Sequence, residues 1–114
     1  MEFALERDPA GHVTCSIGDM DQSTTVTASN GADAMAELMA ALEAARNDGS
    51  SECLWPEATG EYRWMFRRSG DRLTVVVLWS HGTLTGWQHV FRSECDGETF
   101  EQRVRSEWRR VGAR

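Results

Sequence analysis

The sequence predicts an α+β domain in which one antiparallel sheet of about six strands is packed on one face by two helices. Three observations carry this prediction. Residues 2–28 and 61–92 each contain three strand-like runs, rich in alternating or branched apolar residues. Each block is followed by apolar residues at helical spacing, which gives the order βββαβββα. The run at residues 73–79 is apolar on both faces, so it is predicted to be the central strand.

The first block is predicted to be a three-stranded meander. Residues 2–6 alternate between apolar and polar side chains, and residues 13–17 resume the alternation after a turn that contains Pro9 and Gly11. Residues 24–28 are rich in threonine, which favours a short third strand.

Two helices follow the two blocks. Ser29 and Asn30 are predicted to cap the first helix, the run Asn47, Asp48 and Gly49 is predicted to end it, and Asp96 is predicted to cap the second. Their apolar stripes face the core and comprise Met35, Leu38, Met39, Leu42 and Ala45 in the first helix and Phe100, Val104, Trp108 and Val111 in the second.

The segment between the first helix and the second block has no clear period. Residues 50–59 contain Trp55 followed by Pro56, and we predict a connection that crosses the surface of the domain. Trp55 is then the one large aromatic residue without a place in the predicted core.

The second block predicts a sheet with two different faces. The more aromatic face is predicted to lie under the helices and includes Trp64, Val75, Val77, Trp87, His89 and Phe91. The opposite face mixes aliphatic residues and arginines, which is too apolar for an ordinary solvated surface, so it is predicted to be a contact face. That face comprises Arg63, Met65, Arg67, Thr74, Val76, Leu78, Gln88, Val90 and Arg92.

Size and composition predict a single domain over residues 1–114. The chain has 40% hydrophobic and 26% charged residues, which are normal proportions for a globular protein. Its acidic amino terminus does not resemble a signal peptide and no stretch is apolar enough to span a membrane, so we expect a cytoplasmic protein. Three widely spaced cysteines indicate neither a disulfide framework nor a zinc site.

Charge divides the chain into two unequal halves. Residues 1–57 carry eleven acids and two arginines, a net charge of −9, whereas residues 58–114 carry seven acids and ten arginines, a net charge of +3. The acidic half argues against general nucleic-acid binding and fits a basic protein partner. A solvated surface selected for solubility explains the same acids equally well.

No motif in the sequence indicates catalysis, a cofactor or a metal. The chain has no lysine for a phosphate-binding loop and lacks the hydrolase and metalloprotease motifs. Pairing His81 or His89 with Asp71 or Glu94 would give a general base, but that proposal names no nucleophile or pocket. The three histidines, which include His12, have structural explanations, so we expect a protein without enzymatic activity.

The size, acidity and α+β layout resemble those of the immunity proteins of bacterial toxin systems. Residues 60–66, with Gly70 and Asp71, are similar to a run in small bacterial proteins. The resemblance implies a protein that binds a cognate toxin and occludes its active-site region. The alternatives are a secretion or effector chaperone that forms a homodimer through the open sheet face, and a small enzyme.

Two surfaces are candidate partner sites. The first is acidic and contains Asp19, Asp21, Glu37 and Glu43, with Trp55 as an aromatic anchor for a basic toxin domain. The second is the arginine-bearing sheet face, represented by Arg63, Arg67, Gln88 and Arg92.

Overall fold

The computed structural model describes residues 1–82 and 86–112. These residues form seven strands and two helices. In chain order they are β1 (Glu2–Arg7), β2 (Val13–Gly18), β3 (Ser23–Ala28), α1 (Gly31–Asp48), β4 (Ser50–Glu57), β5 (Gly60–Ser69), β6 (Arg72–Ser80), β7 (Gln88–Asp96) and α2 (Gly97–Arg110). Neither described helix is both long and apolar enough to cross a membrane.

The strands form two antiparallel sheets, so the α+β class is confirmed but the single six-stranded sheet is wrong. β1, β2 and β3 form one sheet, and β4, β5, β6 and β7 form the other in simple chain order. The reason is that residues 50–57, predicted as a connection, form β4 and pair with β5 across a two-residue turn. β4 thereby occupies the edge of the second sheet that the first block would have needed.

The two sheets share one contiguous hydrophobic core. The predicted core face is confirmed, because Trp64, Val75, Val77 and Phe91 are all at most 2% exposed. Trp55 packs against Trp64 with ring centroids 5.1 Å apart. The core therefore lies on one face of the four-stranded sheet and leaves the other face without a covering element among the described residues.

Helix α1 begins and ends where predicted and lies along β4. The Asn30 side chain accepts a hydrogen bond from the Asp33 amide, and Gly49 ends the helix with a φ of 92°. Trp55 Nε1 donates to the Ala34 carbonyl at 2.9 Å and Ser51 Oγ donates to the Ala41 carbonyl. Because later helix residues meet earlier strand residues, α1 runs antiparallel to β4.

Helix α2 packs chiefly along β1, and its side chains cover the outer edge of that strand. Glu107 accepts a hydrogen bond from the Leu5 amide at 3.0 Å, while Arg103 and Arg110 donate to the carbonyls of Phe3 and Leu5 at 3.0 Å and 2.6 Å. Such bonds occupy backbone groups that would otherwise be open to another strand.

Strand β7 contains a bulge that changes which residues share a face. Val77 lies opposite Phe91, but the next residue of β6, Leu78, lies opposite His89, so Val90 is the extra residue. The prediction for Gln88 is therefore wrong: it lies opposite Trp79, on the side of the core face. His89, predicted on the core face, lies opposite Leu78 on the other face.

A candidate protein-binding face on the four-stranded sheet

One face of the four-stranded sheet points away from the core, and we call it the open face. The pairing of the strands places its residues in rows, since directly opposed residues share a face. One row contains Leu54, Arg63, Leu78 and His89, and the next contains Glu52, Met65, Val76 and Arg92. Ser50, Arg67, Thr74 and Glu94 form a third row, and Trp87 lies beside Arg63.

Large apolar side chains are exposed on this face. Leu54 is 43% exposed, Trp87 is 39% exposed and Met65 is 36% exposed. Among the described residues only two other large hydrophobic side chains are exposed, Met1 and Met20. The open face is thus the one described surface on which several such side chains occur together.

Arg63 is held in a fixed position at the centre of the open face. Its Nη2 donates to both carboxylate oxygens of Glu52, at 2.6 Å and 2.7 Å, and its guanidinium lies over the Trp87 ring with Cζ 5.5 Å from the ring centroid. Its Nε is buried without a hydrogen-bond partner among the described residues.

Arg67 and Arg92 are exposed and form no salt bridge with a described residue. Together with Met65 and Val76 they line a concave region of about 570 Å³ in the open face. Three of the four residues predicted for this surface, Arg63, Arg67 and Arg92, are therefore brought together on it. In the concave region, Arg67 and Arg92 lie beside the apolar side chains of Met65 and Val76.

The predicted acidic site does not form one surface. Asp19 and Asp21 lie in the turn between β2 and β3, beside β7, where the Gln22 side chain donates to the Arg92 carbonyl. Glu37 lies on α1 beside the opposite edge strand, β4, and Glu43 is exposed on the same helix. Edge strands of a four-stranded sheet are separated by about 14 Å, so Asp19 and Asp21 lie on the opposite side of the sheet from Glu37. Glu43 lies 3.9 Å from Arg46, which pairs with Glu101 of α2, so it joins neither group.

Asp19 has a structural role in its turn. Its carboxylate accepts hydrogen bonds from the Asp21 and Gln22 amides at 2.9 Å and 3.0 Å. A hydrogen bond from the Ser93 side chain is the main cause that holds the pKa of Asp19 below its usual value. Asp21 has an exposed side chain and is the residue of this pair that is free to meet a partner.

Trp55 is not an anchor at the surface. Its side chain is fully buried between β4 and α1. The physical reason is the alternation of β4, in which Cys53 and Trp55 point into the core while Glu52, Leu54 and Pro56 point outward.

The described cysteines and histidines do not form an obvious catalytic centre. Cys15, Cys53 and Cys95 are free and buried, and burial raises the pKa of Cys53 to about 12, so its reactive thiolate is scarce near neutral pH. Among residues 1–82 and 86–112, no group of three histidine, cysteine or acidic side chains is placed to hold a metal ion. The open face offers a surface for non-covalent contact.

Sequence reasoning missed Leu54, Glu52, Trp87 and His89 as members of the open face. Leu54 and Glu52 were missed because β4 was predicted as a connection, although the two-residue period of residues 52–56 was available as a signal. Trp87 and His89 were assigned to the core face by unbroken alternation, and no signal in the sequence marks the bulge at Val90.

No protein-family model matches the chain, and no curated protein or solved structure matches it.

Proposed function

We propose that this chain is a protein-binding module and that the open face is its principal contact surface. One observation carries the proposal: Leu54, Met65 and Trp87 are exposed beside Arg63, Arg67 and Arg92 on a sheet face that no described element covers. Aromatic residues, methionine and arginine are enriched at protein interfaces, and aromatic and arginine side chains contribute most of their binding energy.

The specific activity that we propose is neutralisation of a basic bacterial toxin domain in the cytoplasm. The resemblance in size, charge and layout to immunity proteins supports it, as does the net charge of −6. Asp21 lies beside β7 and Glu37 lies beside β4, so an exposed acid flanks each edge of the four-stranded sheet. A basic domain seated on the face would contact these acids at its margin, where they speed association. Inhibition then follows from occlusion and requires no catalytic residue or cofactor.

A second candidate is a secretion or effector chaperone that dimerises through the open face. The face carries both signs of charge, because Glu52 and Glu94 lie among its arginines. A second copy related by a two-fold axis would therefore find opposite charges on the facing surface.

The test is to titrate, with this protein, any purified toxin domain that a neighbouring gene encodes. Neighbouring genes without such a domain would count against the proposal. We expect an inhibition endpoint near one to one, and we expect the free protein to be monomeric by light scattering after size-exclusion chromatography. Full protection at strongly substoichiometric amounts would show turnover and would support a small enzyme instead. A dimer that does not inhibit the toxin would support the chaperone.

The variant Met65→Asp places a charge at the centre of the open face. Because Met65 is exposed, the fold should persist, and we expect affinity for the toxin to fall by roughly ten-fold or more. Ser16→Asp is the matched control, since Ser16 is exposed on β2 of the other sheet. Equal affinities for the two variants would place the contact surface elsewhere.

A further inference from the structure

The outer edge of β4 is open, in contrast to the edge of β1. The Arg68 amide donates to the Gly49 carbonyl at 2.7 Å. In this register the odd-numbered residues of β4 are the ones whose backbone groups hydrogen-bond with β5. In an antiparallel ladder the even-numbered residues then direct their backbone groups outward. Ser50, Glu52 and Leu54 consequently present N–H and C=O groups that bond to no other described residue, and Pro56, which lacks an N–H, occupies the next outward position.

A groove runs between this edge and the first two turns of α1. It has a volume of about 620 Å³, and its apolar surface comes from Ala34, Leu54, Pro56 and Ala58. Because α1 lies antiparallel along β4, the first two turns of the helix form one wall of the groove beside Leu54, Pro56 and Glu57. An extended chain placed in the groove would meet the open edge on one side and the flank of α1 on the other.

The groove is acidic. Asp33, Glu37 and Glu57 line it, and none of its described lining residues is basic. Glu57 is engaged by the hydroxyls of Thr27 and Ser29, and Asp33 accepts a hydrogen bond from the Asn30 side chain. Glu37 forms no hydrogen bond or salt bridge with a described residue, so its charge is free to meet a cation.

We propose that this groove binds an extended basic segment of a partner protein, which adds to β4 as a fifth strand of the sheet. The open N–H and C=O groups of β4 would bond the backbone of the segment. Successive side chains of the added strand would point alternately toward α1 and toward the face of the sheet that carries Leu54 and Pro56.

The spacing of the acids suits such a segment. Asp33 and Glu37 are four residues apart on the helix, a rise of about 6 Å. Alternate side chains of a strand are separated by about 6.6 Å. Basic side chains at every second position therefore match the two carboxylates, with apolar side chains between them against Leu54 and Pro56.

A second copy of this chain is a poorer occupant. Pairing two β4 edges would bring the acidic rims of both copies together, and facing like charges destabilise a strand pair. A basic segment meets the same rims with opposite charge. This site is separate from the centre of the open face, and its test does not require the toxin.

The probe is a labelled, acetylated and amidated hexapeptide in which arginine and valine alternate. We expect saturable binding by fluorescence anisotropy, weakening with salt, and amide shifts at Glu52 and Leu54 in nuclear magnetic resonance spectra. A hexapeptide of alternating glutamate and valine should not bind. Failure of the arginine peptide to bind up to millimolar concentration, or equal binding of both peptides, would overturn the proposal.

Two methylated forms of the probe test strand addition itself. One carries N-methyl groups on its arginine amides and the other on its valine amides, so each loses the donors of one edge of the added strand. Strand addition predicts that one form loses binding and the other keeps it, because only one edge faces β4. Retention by both forms, or equal loss by both, would contradict it.

Variants locate the site on the protein. Glu37→Gln should weaken binding of the arginine peptide by about two- to five-fold, whereas Glu43→Gln, on the same helix but outside the groove, should not. Leu54→Pro removes one outward donor, so it should bind about two- to ten-fold more weakly than Leu54→Ala, which keeps that donor. Equal binding within either pair would exclude this edge. If Leu54→Pro fails to fold, the methylated peptides and the unaltered protein still decide the question.

Discussion

Glu107 is a buried carboxylate that joins the last helix to the first strand. Its side chain is 8% exposed, and it accepts hydrogen bonds from the Leu5 amide and from Arg110 Nε, both at 3.0 Å. The hydrogen bond from Arg110 is the main cause that holds the pKa of Glu107 below its ordinary value of 4.5. The ionised carboxylate is therefore the form that stabilises the fold.

We expect Glu107→Ala to lower the free energy of unfolding by about 1–3 kcal/mol at pH 7, because the Leu5 amide loses its partner. Because the pKa of Glu107 is lower in the folded state, the ionised carboxylate contributes its full stabilisation above the unfolded-state pKa of 4.5. This stabilisation is lost as the pH falls through the folded-state pKa. The difference in unfolding free energy between the unaltered protein and Glu107→Gln should accordingly shrink as the pH falls from 6 to 3. Urea denaturation across this range measures both effects. Glu43→Gln, at an exposed position, is the control, and an equal pH response in both variants would contradict the prediction.

Single residues also show which positions could be predicted from the sequence and which could not. Arg63, Arg67 and Arg92 were predicted on one face because alternation within a regular strand determines which side a residue takes. Trp55 was misplaced because its burial depends on β4 pairing with β5 and on α1 lying above it. The pairing with β5 is a hairpin across a two-residue turn, whereas the contact with Ala34 of α1 spans 21 residues and has no local signal in the sequence.

At the scale of elements, adjacent residues of β6 test which face is core. Val75 is fully buried, while its neighbour Val76 is half-buried on the open face. We expect Val75→Ala to cost about 1–2 kcal/mol of unfolding free energy, because two methyl groups leave a closely packed site. Val76→Ala should cost less than about half as much, since solvent already reaches it.

Chemical denaturation of both variants measures the difference. Equal losses, or a larger loss for Val76→Ala, would contradict the assignment of the faces.

The elements predicted from strong local signals are confirmed. Both helices, their capping residues and the strands of the two meanders follow from periodicity and from cap and turn residues. β4 was not predicted because only two buried residues, Cys53 and Trp55, mark its apolar face. Pro56, which lies within the strand, is also a residue that usually argues against a strand. The bulge at Val90 was missed because Trp87, His89 and Phe91 alternate without a break in sequence.

For the molecule as a whole, the distribution of charge governs how a basic partner approaches. Asp21→Lys combined with Glu37→Lys reverses exposed charges beside the two edge strands of the four-stranded sheet. We expect slower association with the toxin domain and a weaker dependence of the association rate on salt. The thermal midpoint should stay nearly unchanged, whereas replacing Asp19 would also break its turn.

Glu2→Lys combined with Glu6→Lys changes net charge equally but lies on exposed positions of β1. Stopped-flow measurements over a salt series should separate the two double variants. Identical association rates would mean that only net charge matters, which would remove the support for local acids at the margin of the face.

The contacts between α2 and β1 also determine when the fold can be completed during synthesis. Leu5 bonds to Glu107 and Arg110, which lie 102 and 105 positions later in the chain. At a translation rate of roughly 5–20 residues per second, β1 waits about 5–20 seconds before the side chains that cover its edge have been made. The nascent chain therefore carries an uncovered strand edge during this interval, which is when binding by a chaperone would protect it most.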